Sequence, residues 1–160
     1  MRKQNENPVL RLIASNLSIL QKAIGLIIAK ATKIFSAGIG IELSKEPFMR
    51  NAKEVAATTC SLYQTERSLT YLHLHESACK LNPQPYLTQE QLTEFCSLHK
   101  SELQLSKMTL CFIKEDAEIY LATVIRVTNN DGLTVYIACK IGEKTTGGVA
   151  KGFHVIIPNP

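Results

Sequence analysis

PVLRLIASNLSILQKAIGLIIAKATKIFS, residues 8–36, sets apolar side chains at helical spacing and gathers its polar and cationic ones opposite. At 100° per residue Val9, Leu10, Ile13, Leu17, Leu20, Ile24, Ile27, Ile28, Ile34 and Phe35 share one arc. Arg11, Ser15, Ser18, Lys22, Lys33 and Ser36 lie across from it, with Lys30 at the boundary. Up to Ile41 the chain carries six basic residues against Glu6 alone, a net of +5, and the remainder sums to -1. The +4 of the whole chain is therefore a property of its N-terminal quarter. The spacing predicts an interfacial amphipathic helix that meets anionic lipid: Leu17, Leu20, Ile24, Ile27, Ile28 and Phe35 insert, and Lys22, Lys30 and Lys33 contact head groups. The same wheel also suits a helix packed on the domain or on a partner chain.

No window of about 18 residues escapes a lysine or arginine, so a transmembrane span is not expected. The apolar run of a secretory signal is likewise interrupted by Lys22, Lys30 and Lys33. The five cysteines, Cys60, Cys79, Cys96, Cys111 and Cys139, are odd in number and widely spaced, without a CxxC. Reduced, buried thiols in a cytoplasmic or nuclear compartment follow.

Beyond the first segment, Gly38 to Pro47 marks a boundary, giving residues 1–41 as the amphipathic helix and 42–160 as a second unit. A helix is expected from Phe48 or Asn51 to Leu81, with a break near Thr65 and a stop at Asn82-Pro83-Gln84-Pro85. Tyr86-Leu87 is a short extended piece. Thr88 with Gln91 three residues on is a capping-box pattern for a helix over Gln89 to Leu98. Ser101 is expected to cap another helix from Glu102 to about Glu118, and Tyr120–Thr128 with Leu133–Ile141 reads as a hairpin turning at Asn129-Asn130-Asp131-Gly132. Gly142–Gly152 is a flexible loop, and Phe153–Ile157 adds a short edge strand. Helix, short strand, helix-turn-helix and hairpin make an α+β winged helix.

Such a domain commonly binds DNA, yet its second helix would carry Glu102, Gln104, Lys107, Lys114, Glu115, Asp116 and Glu118, a net of -2 that repels phosphate. Protein binding through Glu102, Lys107, Lys114 and Arg126 is the better use of that surface. His75 with Cys79, and Cys96 with His99, could together offer zinc two imidazoles and two thiolates, but nothing sets the pairs face to face and no metal is assigned. Gly142-Glu143-Lys144-Thr145-Thr146-Gly147-Gly148 lacks the glycines of a phosphate loop. No motif positions a nucleophile, so an enzyme is not expected and no cofactor or small-molecule substrate is implied.

Gly25-Leu26-Ile27-Ile28-Ala29-Lys30-Ala31-Thr32-Lys33-Ile34-Phe35, the segment Ala52-Lys53-Glu54-Val55 to Leu62-Tyr63-Gln64, and Leu87-Thr88-Gln89-Glu90-Gln91-Leu92-Thr93-Glu94-Phe95-Cys96 with the closing hairpin resemble in layout the ESCRT-II-like winged-helix region of the nuclear-envelope charged multivesicular body family. The resemblance spans about Gly25 to Gly142. It implies an endomembrane or nuclear-envelope adaptor that docks and recruits, whereas a full first winged helix has no room before Gly25 and the basic filament-forming helices are missing. The expected function is thus a non-enzymatic membrane-surface adaptor with a protein partner. The alternatives are a DNA-binding regulator, with its basic N-terminal arm on phosphate, or a subunit of a larger assembly.

Overall fold

The computed structural model describes residues 9–21, 54–105, 107–126, 133–142 and 145–160, with backbone alone for 133–137. Its elements are β1 (Leu10–Ile19), β2 (Thr58–Thr65), β3 (Leu69–Thr70), α1 (Tyr71–Leu81), β4 (Tyr86–Leu87), α2 (Gln89–Leu98), a 3-10 turn at Lys100–Glu102, β5 (Met108–Glu115), β6 (Glu118–Arg126), β7 (Leu133–Lys140), β8 (Gly148–Val149) and β9 (His154–Pro158). The main sheet runs β1-β2-β9-β5-β6-β7, with β4 also pairing with β5. β5 is parallel to β9 and β4, and antiparallel to β6.

Successive strand residues face opposite ways, and the two apolar clusters separate accordingly. Cys60, Leu62, Cys111, Ile113, Ala122, Val124 and Ile156 pack with Leu92, Phe95 and Cys96 of α2 on one face. Leu110, Phe112, Leu121, Val155 and Ile157 pack with Leu74 and Ala78 of α1 on the other. Among the described residues the result is a mixed sheet with one helix on each side.

The fold is therefore sheet-rich, and the winged helix is overturned. The N-terminal segment enters as β1, hydrogen-bonded to β2, so the expected amphipathic helix is absent from residues 10–19. Register shifts between Leu12 and Ala14 and between Ala14 and Leu17 interrupt its alternation, and Asn16 sits at φ 57°. Bulges add residues to a strand and shift its parity; Leu10 packs with the α1-side cluster and Leu17 with the α2-side cluster, so their helical spacing does not put them on one face. The helix expected up to Leu81 is α1 alone, because Thr58–Thr65 is extended; its stop at Asn82 is where the chain leaves the helix. No helix follows Ser101: Glu102 closes the 3-10 turn, and Leu110-Cys111-Phe112-Ile113 is a central strand buried on both faces. Phe153–Ile157 was expected at an edge, yet β9 lies inside the sheet between β2 and β5.

Other expectations agree with the structure. Thr88 Oγ1 accepts from the Gln91 amide at 3.1 Å and Gln91 Oε1 accepts from the Thr88 amide at 2.9 Å, completing the capping box of α2. β6 and β7 pair antiparallel as the hairpin requires, its turn lying outside the described residues. Because β4 and β5 are parallel, α2 serves as their crossover and not as the first helix of a helix-turn-helix. The loop after Gly142 supplies β8, which pairs with β3.

Phe112 is fully buried, so Phe112→Ala should lower the unfolding free energy by about 3–5 kcal/mol in a denaturant titration. Leu12→Ala, on the exposed side of β1, should change it by about 0.5 kcal/mol or less.

Candidate functional site

Four strands align a polar row at the end of the sheet where β5 begins. Arg11 stands opposite Gln64, Gln64 opposite His154, and His154 opposite Thr109. Residues in register share a face, and the neighbours Leu62, Ile156 and Cys111, each two positions along, place this row on the α2 side. At about 4.8 Å per strand the row spans ~14 Å. Thr109 and His154 are buried, and Arg11 is exposed. Arg126 lies two positions beyond Val124, which is opposite Thr109, and so points the same way.

Four buried side-chain atoms among the described residues lack a hydrogen-bond partner: Gln104 Oε1, Thr109 Oγ1, Arg126 Nε and His154 Nδ1. All four belong to the entry and exit of strands at this end. Such atoms cost stability when nothing meets them, so their concentration marks a site rather than a core. Burial, then the positive charges of Lys107 and Arg11, lower the proton affinity of His154 and keep its imidazole neutral. Arg11 Nε donates to Glu66 Oε1 at 2.7 Å, and Arg126 Nη1 reaches the Leu103 carbonyl at 3.4 Å. At this end Leu105, bridged to Arg126, is 50% exposed, and Ile13, at the first register shift of β1, is 39% exposed; Leu12, in register with Tyr63, faces the α1 side. The unpaired atoms include donors, Arg126 Nε and the Thr109 hydroxyl, and one acceptor, the Gln104 side-chain oxygen.

The residues proposed from sequence distribute unevenly. Glu102, Lys107 and Arg126 gather near this end, on a turn, a loop and a strand exit instead of a recognition helix. Lys114 belongs to the opposite end of β5, its Nζ 5.7 Å from the Tyr86 ring centroid. Leu17 is half-buried against the α2-side core and is unavailable for insertion, whereas Leu20 is exposed. Lys22, Ile24, Ile27, Ile28, Lys30, Lys33 and Phe35 lie outside the described residues. His154, Thr109 and Gln64 carry no signal in the sequence, since only strand order brings them together.

The four zinc ligands considered are held apart by the sheet: His75 and Cys79 on α1, Cys96 and His99 on α2. Cys96 is buried with its thiol pushed up to about 12, and His99 Nε2 is 2.7 Å from the Ser18 carbonyl. Among the described residues no group of three or more His, Cys, Asp and Glu could hold a metal ion, and no helix is long and apolar enough to cross a membrane. Gly142–Gly148 runs into strand β8 and not into a helix, unlike a phosphate loop. A cavity of about 310 Å³ lies at the far end of β5, lined by Gln84, Tyr86, Leu87, Thr88, Lys114 and Asp116.

Comparison with family models, curated proteins and solved structures finds no match to this chain. The layout behind the ESCRT-like resemblance also differs, since Thr58–Thr65 and Met108–Glu115 are strands.

The lowered proton affinities of His154 and His75 set the sign of an acid effect. Each is neutral when folded, whereas the unfolded chain takes up a proton as the pH drops past the ordinary histidine value of 6.5. Folding stability should therefore be full above that value and decline below it, until the folded imidazoles protonate in turn. Thermal melts across that range should show the decline, and His154→Gln should lessen it, leaving the part due to His75.

Proposed function

We propose that this chain is a non-enzymatic adaptor that holds an anionic, phosphate-bearing membrane surface against the end of the sheet where β5 begins. The observation that carries this reading is the row Arg11, Gln64, His154 and Thr109, with unpaired polar atoms beneath and exposed Ile13 and Leu105 at the same end of the sheet. Arg11, the one of the six basic residues up to Ile41 that lies among the described residues, stands in this row. Lys107 and Arg126 add positive charge at this end. Each basic group near an anionic bilayer contributes about 1 kcal/mol, so the cations give a salt-sensitive attraction and the apolar side chains supply depth. A protein partner then occupies the remaining surface of the domain.

Flotation with phosphatidylserine-containing and with purely phosphatidylcholine vesicles tests this. The intact chain should float with the anionic vesicles alone and dissociate as salt rises. Lys107→Glu reverses one charge and should weaken binding about tenfold or more, and Leu105→Asp should do the same. Equal binding to both vesicles, or indifference to both substitutions, would remove the reading. Tight duplex DNA binding with a steep salt slope, in the absence of vesicle binding, would move the site to nucleic acid.

A further inference from the structure

On the α1 side of the sheet, a second cluster stands apart from the cationic row. His75 and Cys79 are one turn apart on α1, and Cys79 Sγ lies 3.6 Å from His75 Nε2. The same nitrogen is 2.8 Å from the Tyr86 hydroxyl on β4. The His75 ring stacks against Tyr86, with centroids 5.7 Å apart, and meets Phe112 edge-on at 5.1 Å. These contacts fix the imidazole plane. All three polar residues are half-buried, so reagents reach them from solvent, and Tyr86 also lines the cavity that contains Lys114 and Asp116.

The other thiols differ in kind. Cys60, Cys96 and Cys111 are fully buried on the α2 side, where burial pushes Cys60 up to about 12 and Cys111 well above the ordinary range. Cys139 is half-buried, and burial raises its thiol as well. Cys79 touches an imidazole.

We propose that Cys79 is the reactive thiol of this chain, with His75 as its proton acceptor and the Tyr86 hydroxyl as a guard on the accepting nitrogen, and that it exchanges with low-molecular-weight disulfides. In the resting arrangement Tyr86 donates to Nε2, because burial holds its own ionisation up at about 12 and keeps the hydroxyl protonated. Burial also lowers the proton affinity of His75, against a smaller opposing effect of Glu76, so Nε2 is unprotonated at neutral pH and its lone pair is held by the Tyr86 hydroxyl. When Tyr86 swings away, the Cys79 proton passes to Nε2 and the thiolate attacks one sulfur of the disulfide. The S–S bond of the reagent breaks and a mixed disulfide forms on Cys79. The departing thiolate takes the proton from His75. One sulfur of the reagent is reduced as Cys79 is oxidised, and no further oxidant is required.

The test uses the full chain at neutral pH with glutathione disulfide as the probe, and peptide mass mapping to follow each cysteine. Cys79 should acquire glutathione faster than Cys139 by on the order of tenfold, with Cys60, Cys96 and Cys111 slower still. His75→Gln should bring Cys79 down to the pace of Cys139, and Tyr86→Phe should accelerate it by unblocking Nε2. Another cysteine leading, or a Cys79 rate unmoved by His75→Gln in a folded protein, overturns the proposal. Should His75→Gln open the fold, revealed by labelling of Cys60, Cys96 and Cys111, the Tyr86→Phe arm decides: acceleration supports the guard and no acceleration overturns it.

Discussion

The pairing of β5 on both of its sides is the constraint on which the rest of the molecule depends. One side is taken along its length by β6, and the other is divided between β9, at Thr109 to Cys111, and β4, at Phe112 and Ile113. Leu110 and Phe112 face α1, while Cys111 and Ile113 face α2, so one tetrapeptide contributes to both cores. Burying such side chains stabilises by roughly 1.5–3 kcal/mol each. More consequential is the geometry that follows: the two ends of β5 become the two polar regions of the protein. Thr109 stands at its entry beside His154, and Lys114 at its exit beside Tyr86.

That arrangement explains what the amino-acid sequence could and could not disclose. Local signals were legible where the stabilising contacts are local. Thr88 and Gln91 cap α2 through each other, Asn82-Pro83 ends α1, and the β-rich runs around Asn129–Gly132 pair as a hairpin. Leu110-Cys111-Phe112-Ile113 was read as helix because a short apolar run buried on both faces has no period to distinguish strand from helix. The turn at Asp116, with φ 52°, lies in a charged stretch that offers no glycine to announce it. In β1 the difficulty is different in kind, since two register shifts break the alternation that would announce a strand. Tertiary pairing, and not intrinsic preference, sets both segments.

The candidate site was legible only in part for the same reason. Lys107 and Arg126 were singled out as surface groups on a helix and a wing, and they matter on a different scaffold because both flank the entry to β5. His154 and Gln64 are 90 positions apart in the chain and meet only because β9 inserts between β2 and β5. His75 and Cys79, by contrast, are neighbours on any helix, and their i,i+4 spacing was visible at once. What could not be seen is that Tyr86 completes the group, because its strand is placed by pairing with Phe112 and Ile113.

The sheet also separates the two imidazoles electrically. His154 is held neutral by burial and by repulsion from Lys107 and Arg11, so an anion that settles among those cations cancels the repulsion and raises its proton affinity. His75 is held neutral chiefly by burial, and the charge that acts on it is Glu76 on its own helix, opposing that burial. An anion at the cationic row leaves those two influences as they are, with the apolar layer of Leu110, Phe112, Cys111 and Ile113 lying between. Two histidines with the same direction of shift therefore answer to different neighbours. The row at one end of β5 takes its charge environment from Lys107 and Arg11, and the cluster near the other end from Glu76 and the hydrogen bond between His75 and Tyr86.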